Sequence, residues 1–318
     1  MKLNRIVNTK DMPHEQWLAY RRNGIGGSDA GAICGLNPYT TAIDVYLDKL
    51  DLKDEVVDNE SMRQGRDLEQ YVAERFCEAT GKKVRKENAI LGNDRYPFAY
   101  ANVDRLIVGE NAGLECKTAN AYSADKWKDE KIPEHYELQC HHYMMITGAT
   151  HWYIACVILG KGFVWHKIDR DDDTIAMLAD IEKEFWNCVQ NKKMPEPDGS
   201  KACDEIIAKY YKDTDPDKRI ELDMFADKLA RRAEIKELEV KLETERKQIE
   251  QEIKTEMKDA EVADIAGAYK VTWKSLTRNT IDSKRLKEEQ PYIYQSYLKS
   301  STSRRFEIKE IVQEKENV

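Results

Sequence analysis

Up to about residue 190 the hydrophobic positions change period several times, and beyond residue 220 they settle into one narrow helical stripe. Ile43, Tyr46, Leu47 and Leu50 recur at three- and four-residue spacing and predict a helix over 41–50, and Ser28 can cap another over 28–33. Leu68, Val72, Ala73 and Phe76 repeat the pattern over 66–80, where Gly81 supplies a stop. Alternating patterns then predict strands over 99–108 and 113–118, joined by a turn with Gly109 and Gly113 at its ends. A helix over 133–147, a buried strand over 151–159, a tight turn at 160–162, a partner strand over 163–168 and a helix over 171–190 complete this part.

Pro195, Pro197, Gly199 and Pro216 mark a charged connector that holds a short helical piece around 206–211. Residues 222–257 contain neither Pro nor Gly and predict one long helix, whose stripe of Ile235, Leu238, Leu242, Ile249, Ile253 and Met257 calls for a helical partner, within the chain or between subunits. Glu245 and Glu252 interrupt strict heptads, against a long regular coiled coil. The expected division is therefore a core domain over 1–200, a connector over 201–221, a coiled-coil-like helix over 222–258 and a small basic unit over 259–318.

Composition narrows the function classes. Of the 318 residues 41% are hydrophobic and 35% charged, a globular chain with a solvated helical part. No apolar run nears the roughly 20 residues of a membrane span, and residues 1–10 lack a signal-peptide core, so a cytoplasmic address and no membrane partner are expected. The seven cysteines are an odd number without a C-x-x-C pair and read as reduced core thiols. A net charge of -8 argues against nucleic-acid binding by the whole surface. Residues 265–306 differ, with nine Lys and Arg against three acids, or +6, interleaved with Tyr269, Trp273, Tyr292, Tyr294, Tyr297 and Phe306. Those aromatics either form a small strand–helix–strand core or stack on a phosphate-bearing partner, and the basic excess calls for DNA or an acidic protein.

Chemistry concentrates around the hairpin. Asp104 falls on its first strand, and Glu115 and Lys117 project from one face of the second, opposite Leu114 and Cys116. Two carboxylates beside an ammonium make a hard oxygen site for Mg²⁺ and a charge that can orient water. With Glu69 on the upstream helix, this is the D…(D/E)-x-K pattern of metal-dependent nucleases. The glycines of the segment 24–29 let backbone N–H groups approach an anion, and Ser28 adds a hydroxyl at a helix start.

The run Trp17-Leu-Ala-Tyr-Arg-Arg-Asn-Gly-Ile-Gly-Gly-Ser-Asp-Ala30, then Gly65-Arg-Asp-Leu-Glu69, Ala101-Asn-Val-Asp104, Leu114-Glu-Cys-Lys-Thr118 and Glu137-Leu-Gln-Cys-His-His-Tyr-Met144, resembles the YqaJ-type viral recombinase nucleases, relatives of lambda-type exonuclease, over about residues 14–190. The resemblance implies an α/β fold of the PD-(D/E)xK, restriction-endonuclease-like kind, a mixed central sheet flanked by helices, to which this chain adds the long C-terminal helix and a small α+β appendage. The usual proline before the catalytic acid has no match beside Asp104; Pro97 lies seven residues earlier. By resemblance Asp104, Glu115 and the Cys116 carbonyl hold the metal, Lys117 positions the attacking water, Glu69 completes the acidic pocket, and Gln139 orients water or Lys117. Arg21 and Ser28, seven apart, correspond to a pocket for the 5′-phosphate, with Arg22 as a substitute for Arg21. His141 and His142 read as core or DNA-facing groups, because Mg²⁺ prefers oxygen.

The implied activity is Mg²⁺-dependent 5′-to-3′ digestion of linear double-stranded DNA, with Mn²⁺ as the substitute ion, leaving 3′ single strands for phage-type recombination. A single-strand annealing protein, a homo-oligomeric assembly and a phage or prophage origin in a host cell go with it. Two alternatives stay open: a structure- or site-specific endonuclease of the same fold, and a noncatalytic DNA-binding scaffold.

Overall fold

The computed structural model describes residues 3–53, 58–129, 131–300 and 304–309, and the chain divides into two compact units, Met1–Tyr211 and Lys212–Val318. In chain order the first unit comprises β1 (Leu3–Asn8), α1 (His14–Arg22), β2 (Ile25–Gly26), α2 (Gly27–Ile33), α3 (Ala42–Lys49), α4 (Glu60–Thr80), β3 (Val84–Arg85), β4 (Ala89–Asn93), β5 (Ala99–Ala101), β6 (Arg105–Ile107), β7 (Ala112–Ala119), a 3₁₀ turn at Ala121–Trp127, α5 (Glu134–Thr147), β8 (His151–Ile158), β9 (Gly162–Asp169), α6 (Asp172–Gln190) and α7 (Lys201–Tyr210).

Local signals explain most boundaries. Asn59 accepts a hydrogen bond from the Met62 N–H, which starts α4 six residues before the expected position. Gly148, at φ +71°, closes α5 in a left-handed turn that glycine adopts without strain. Asp171 caps α6 through the Asp173 N–H.

The central sheet has the order β3-β6-β7-β8-β9, with β7 and β8 parallel and every other pair antiparallel. The helix α5 makes the crossover between β7 and β8, as a parallel pair requires. One face packs against α4, where Val72, Ala73 and Phe76 meet Ile107, Leu114, Tyr153 and Ala155. The larger core cluster joins Trp152, Ile154 and Cys156 to Cys140, Met144 and Met145 of α5 and to Phe185 and Val189 of α6. This is the mixed, helix-flanked α/β core that the resemblance implied.

Several sequence expectations change. Residues 99–108 form two short strands in two different sheets, because β5 pairs with β4 and β2 whereas β6 pairs with β7. Asp104 therefore lies at the bend between them and not on a hairpin strand. Gly113 is inside β7, in register with Trp152, and a Cβ there would collide with the indole ring. The first strand, β1, pairs with the buried β4, and neither was expected. In the proline-marked segment, α7 spans ten residues and seats Cys203, 2% exposed, in the core cluster.

The second unit consists of α8 (Ala226–Met257), the hairpin β10 (Val262–Ile265) and β11 (Tyr269–Thr272), and two short helices, α9 (Ser283–Glu289) and α10 (Pro291–Ser296). At about 1.5 Å per residue α8 is roughly 48 Å long. Met257 is buried, while Ile235, Leu238, Leu242 and Ile249 remain exposed. Tyr269, Tyr292, Tyr297 and Phe306 are 70%, 90%, 85% and 86% exposed, so the alternative in which the aromatics form a small core is not what these side chains do. The part of this unit at 301–303 and 310–318 lies outside the described residues.

Candidate active site

The bend between β5 and β6 turns Asp104 toward β7, where its Oδ2 accepts the Cys116 N–H at 2.8 Å. Alternation along β7 sends Leu114 into the α4 face and Glu115 and Lys117 to the opposite side. Glu115 is 3% exposed, and its Oε1 accepts from Lys117 Nζ at 2.6 Å and from Gln139 Nε2 at 2.7 Å. Gln139 sits on α5, one turn after its start, and its Oε1 accepts from Lys117 Nζ at 3.0 Å. Its Nε2 also donates to the Tyr143 hydroxyl at 2.8 Å, so every polar atom of the amide is engaged. Lys117 also lies 4.5 Å from the centre of the Tyr136 ring.

Charge in this cluster is strongly coupled. Burial, followed by the negative charges of Glu115 and Glu69, pushes the Asp104 carboxyl well above the ordinary aspartate range, against the opposing pull of Lys117 and the Cys116 N–H. Burial works against the Lys117 charge, but Glu115, Tyr136 and Asp104 outweigh it and raise its pKa, so Lys117 is a fixed ammonium. Glu69, on α4, accepts from Arg105 Nη1 at 2.5 Å, and the same nitrogen donates to the Asp104 carbonyl at 2.7 Å. Arg66, one turn before Glu69, is instead paired with Asp58. Arg105 is 3% exposed and ties Glu69 to the bend that carries Asp104, a role the sequence reading missed although Arg105 directly follows the acid.

The donor set suits a hard divalent cation. The Oε2 atom of Glu115 is buried without a hydrogen-bond partner among the described residues, and Asp104 carries a carboxylate crowded by like charge. Among the described residues no group of three or more His, Cys, Asp or Glu side chains is drawn together tightly enough to hold a metal alone. Two carboxylates completed by water and substrate phosphate are nevertheless the usual protein contribution to Mg²⁺.

The N-terminal segment reaches the same place. Arg21 Nη2 donates to Ser28 Oγ at 2.8 Å, and the guanidinium lies 4.7 Å from the Trp17 ring centre. Asp29 Oδ2 accepts from the Gly26 N–H at 2.9 Å and from Lys49 Nζ at 2.7 Å. Burial raises the Asp29 pKa, but Lys49 and Arg21 outweigh it and hold the carboxyl below its usual value. Lys49 lies 28 residues from Arg21 and has no local sequence signal. A cleft of roughly 170 Å³ is lined by Arg21, Gly27, Ser28, Asn102, Asp104 and Tyr143, so the expected phosphate-binding pair and the first acid open on one space. Arg22 points elsewhere, to Asp51 at 2.7 Å and Asp48 at 3.8 Å, and is no substitute for Arg21. His142 is buried between Glu182 (2.7 Å) and the Tyr100 carbonyl (2.9 Å), and His141 is also buried, so both belong to the core.

Residues 16–150 match the family described as the YqaJ-like viral recombinase domain. Over 314 residues the chain is 42% identical to a Bacillus subtilis (strain 168) protein named "Uncharacterized protein YqaJ", covering 96% of this chain and 97% of that one. The chain belongs to the YqaJ-like viral recombinase family. Among solved structures, the alkaline exonuclease LHK-Exo of Laribacter hongkongensis aligns at 18% identity and TM-score 0.49 over 62% of this chain and 98% of its own. A phage-related exonuclease from Haemophilus somnus 129PT aligns at 14% identity and TM-score 0.42 over 53% of this chain and 96% of its own. In this YqaJ-like chain the family match ends at residue 150, inside the first unit, whereas the Bacillus relative extends across nearly the whole length.

Proposed function

We propose that this chain is a divalent-metal-dependent deoxyribonuclease that digests linear double-stranded DNA from its 5′ ends. The observation that carries the proposal is the single cleft shared by Arg21, Ser28 and Asp104, with Glu115, Lys117 and Gln139 hydrogen-bonded together behind the acid. Membership in a viral recombinase family supports DNA as the substrate.

In this reading Asp104 and Glu115, with the Cys116 carbonyl, would hold Mg²⁺, or Mn²⁺ as a substitute. A cation held there would supply Lewis-acid polarisation of the scissile phosphate and would make water easier to deprotonate. Lys117 is held charged beside Glu115 and donates a hydrogen bond that orients the attacking water. Gln139 fixes the direction of that ammonium. Glu69 and Arg105 hold the bend at Asp104. Arg21 and Ser28 bind a terminal 5′-phosphate by charge-assisted hydrogen bonds, which sets the 5′-to-3′ direction and leaves 3′ single strands. A homo-oligomer acting in the host-cell cytoplasm with a single-strand annealing protein is the setting this product fits.

The test is incubation of the purified protein with linear and covalently closed circular duplexes, with Mg²⁺ and with chelator. Mg²⁺-dependent loss of the linear duplex alone is the expected result. Cutting of the closed circle indicates an endonuclease, and intact DNA in every lane indicates a noncatalytic scaffold.

A further inference from the structure

One buried polar side chain lining the cleft takes no part in the chemistry proposed for it. Tyr143, on α5, is 4% exposed and touches both halves of the cleft. Its hydroxyl accepts from Gln139 Nε2, whose other hydrogen goes to Glu115. Its ring edge lies so close to Gly27, the first residue of α2, that a Cβ on Gly27 would stand 2.6 Å from Cε1. The ring also packs on Trp152, at a centroid distance of 5.2 Å.

A primary amide has two N–H donors and one acceptor, and its orientation decides what Lys117 meets. As placed, Gln139 gives its hydrogens to Glu115 and Tyr143 and its oxygen to Lys117. A flipped amide would set oxygen against the Glu115 carboxylate and N–H against the Lys117 ammonium, two repulsive contacts. Glu115 and Lys117 therefore decide which way the amide faces, and the Tyr143 hydroxyl, by engaging its second hydrogen, holds it in place between them. Burial and the charges of Glu115 and Asp104 keep the hydroxyl protonated, so it does not add a competing negative charge.

Resting on the nuclease reading, we infer that Tyr143 is a positioning residue that couples the 5′-phosphate site to the hydrolytic centre: its hydroxyl steadies the Gln139 amide that aims Lys117, and its ring is registered against Gly27 at the start of α2.

The test compares wild type with Tyr143→Phe, Gln139→Ala and the double variant on a 5′-phosphorylated linear duplex in Mg²⁺. Removing the hydroxyl alone should lower kcat roughly tenfold, the factor that one hydrogen bond's net contribution supports, with KM for the DNA end unchanged. The double variant should be no slower than Gln139→Ala, because the hydroxyl acts only through that amide. A purely structural tyrosine would instead lower activity by the same factor whether or not Gln139 is present. Wild-type kcat in Tyr143→Phe, a rise in KM alone, or multiplicative losses in the double variant would each overturn the inference. An inactive wild-type protein would instead count against the nuclease reading itself.

Discussion

Asp104 is the residue at which function opposes stability. Burial, and then the charges of Glu115 and Glu69, raise its pKa above the unfolded value near 4, so the folded chain binds that proton more tightly than the unfolded chain. Its contribution to stability is complete below about pH 4 and is lost as pH climbs through the folded value. In chelator the stability of wild type relative to Asp104→Asn should accordingly fall from acid toward neutral pH, and a divalent cation should reverse that loss. In chelator at neutral pH, Asp104→Asn should melt about 2–4 °C above wild type for each kcal/mol of relieved repulsion, and it should show no further rise with Mg²⁺. A Mg²⁺-induced shift of undiminished size in this variant, followed by thermal unfolding, would place the cation elsewhere. Glu115 and Lys117 were legible in the sequence because strand alternation puts them on one face, and Asp104, Glu69 and Gln139 because short motifs that resemble the family carry them, although Asp104 was expected on a strand and lies at a bend. Lys49, Arg105 and Tyr143 were not, since each reaches the site through a tertiary contact whose partner is set by the fold.

Among the elements, β7 carries Glu115 and Lys117 of the site, and its pairing with the parallel β8 depends on a missing side chain. Gly113 faces Trp152 in register, and both are buried, so the indole occupies the space a Cβ would need. Gly113→Ala should destabilise the protein by about 3 kcal/mol, the upper range for overpacking a core, read as a fall in the urea midpoint or in soluble yield. An unchanged midpoint would mean that the sheet yields there at little cost. Helices α2 to α6 were legible because apolar spacing and caps such as Asp171 are local signals, whereas α1, α9 and α10 were not expected. The division of 99–108 into β5 and β6 was not, because a continuous apolar pattern does not reveal that its two ends pair with different sheets. That same division bends the chain at Asp104 and aims it at β7.

Across the whole molecule charge is unevenly distributed: residues 265–306 carry +6 while the chain as a whole carries -8, leaving -14 for the rest. Exposed aromatics and Lys or Arg side chains share that segment, the composition of a surface that contacts phosphates and stacks on bases. Deleting the second unit from Lys212 onward should keep cleavage of short duplexes while lowering DNA affinity and flattening its dependence on salt, by roughly 0.9 in the logarithmic slope for each phosphate that is no longer neutralised. An unchanged slope, measured by fluorescence anisotropy on a labelled duplex, would assign the segment to a protein partner. The long helix of this unit was legible from the absence of Pro and Gly. What covers its apolar stripe was not, because a stripe encodes the need for a partner and not the partner's identity.

The most direct measurement of the central claim is the initial rate on linear duplexes that differ only in carrying a 5′-phosphate or a 5′-hydroxyl, in Mg²⁺, for wild type and Arg21→Ala. A cleft in which Arg21 and Ser28 hold the terminal phosphate beside Asp104 predicts that wild type degrades the phosphorylated end at least about tenfold faster, as expected for charge-assisted hydrogen bonds of about 1.5–3 kcal/mol. It also predicts that Arg21→Ala loses the preference while keeping its slower rate on the hydroxyl end. Equal wild-type rates on the two ends would contradict it.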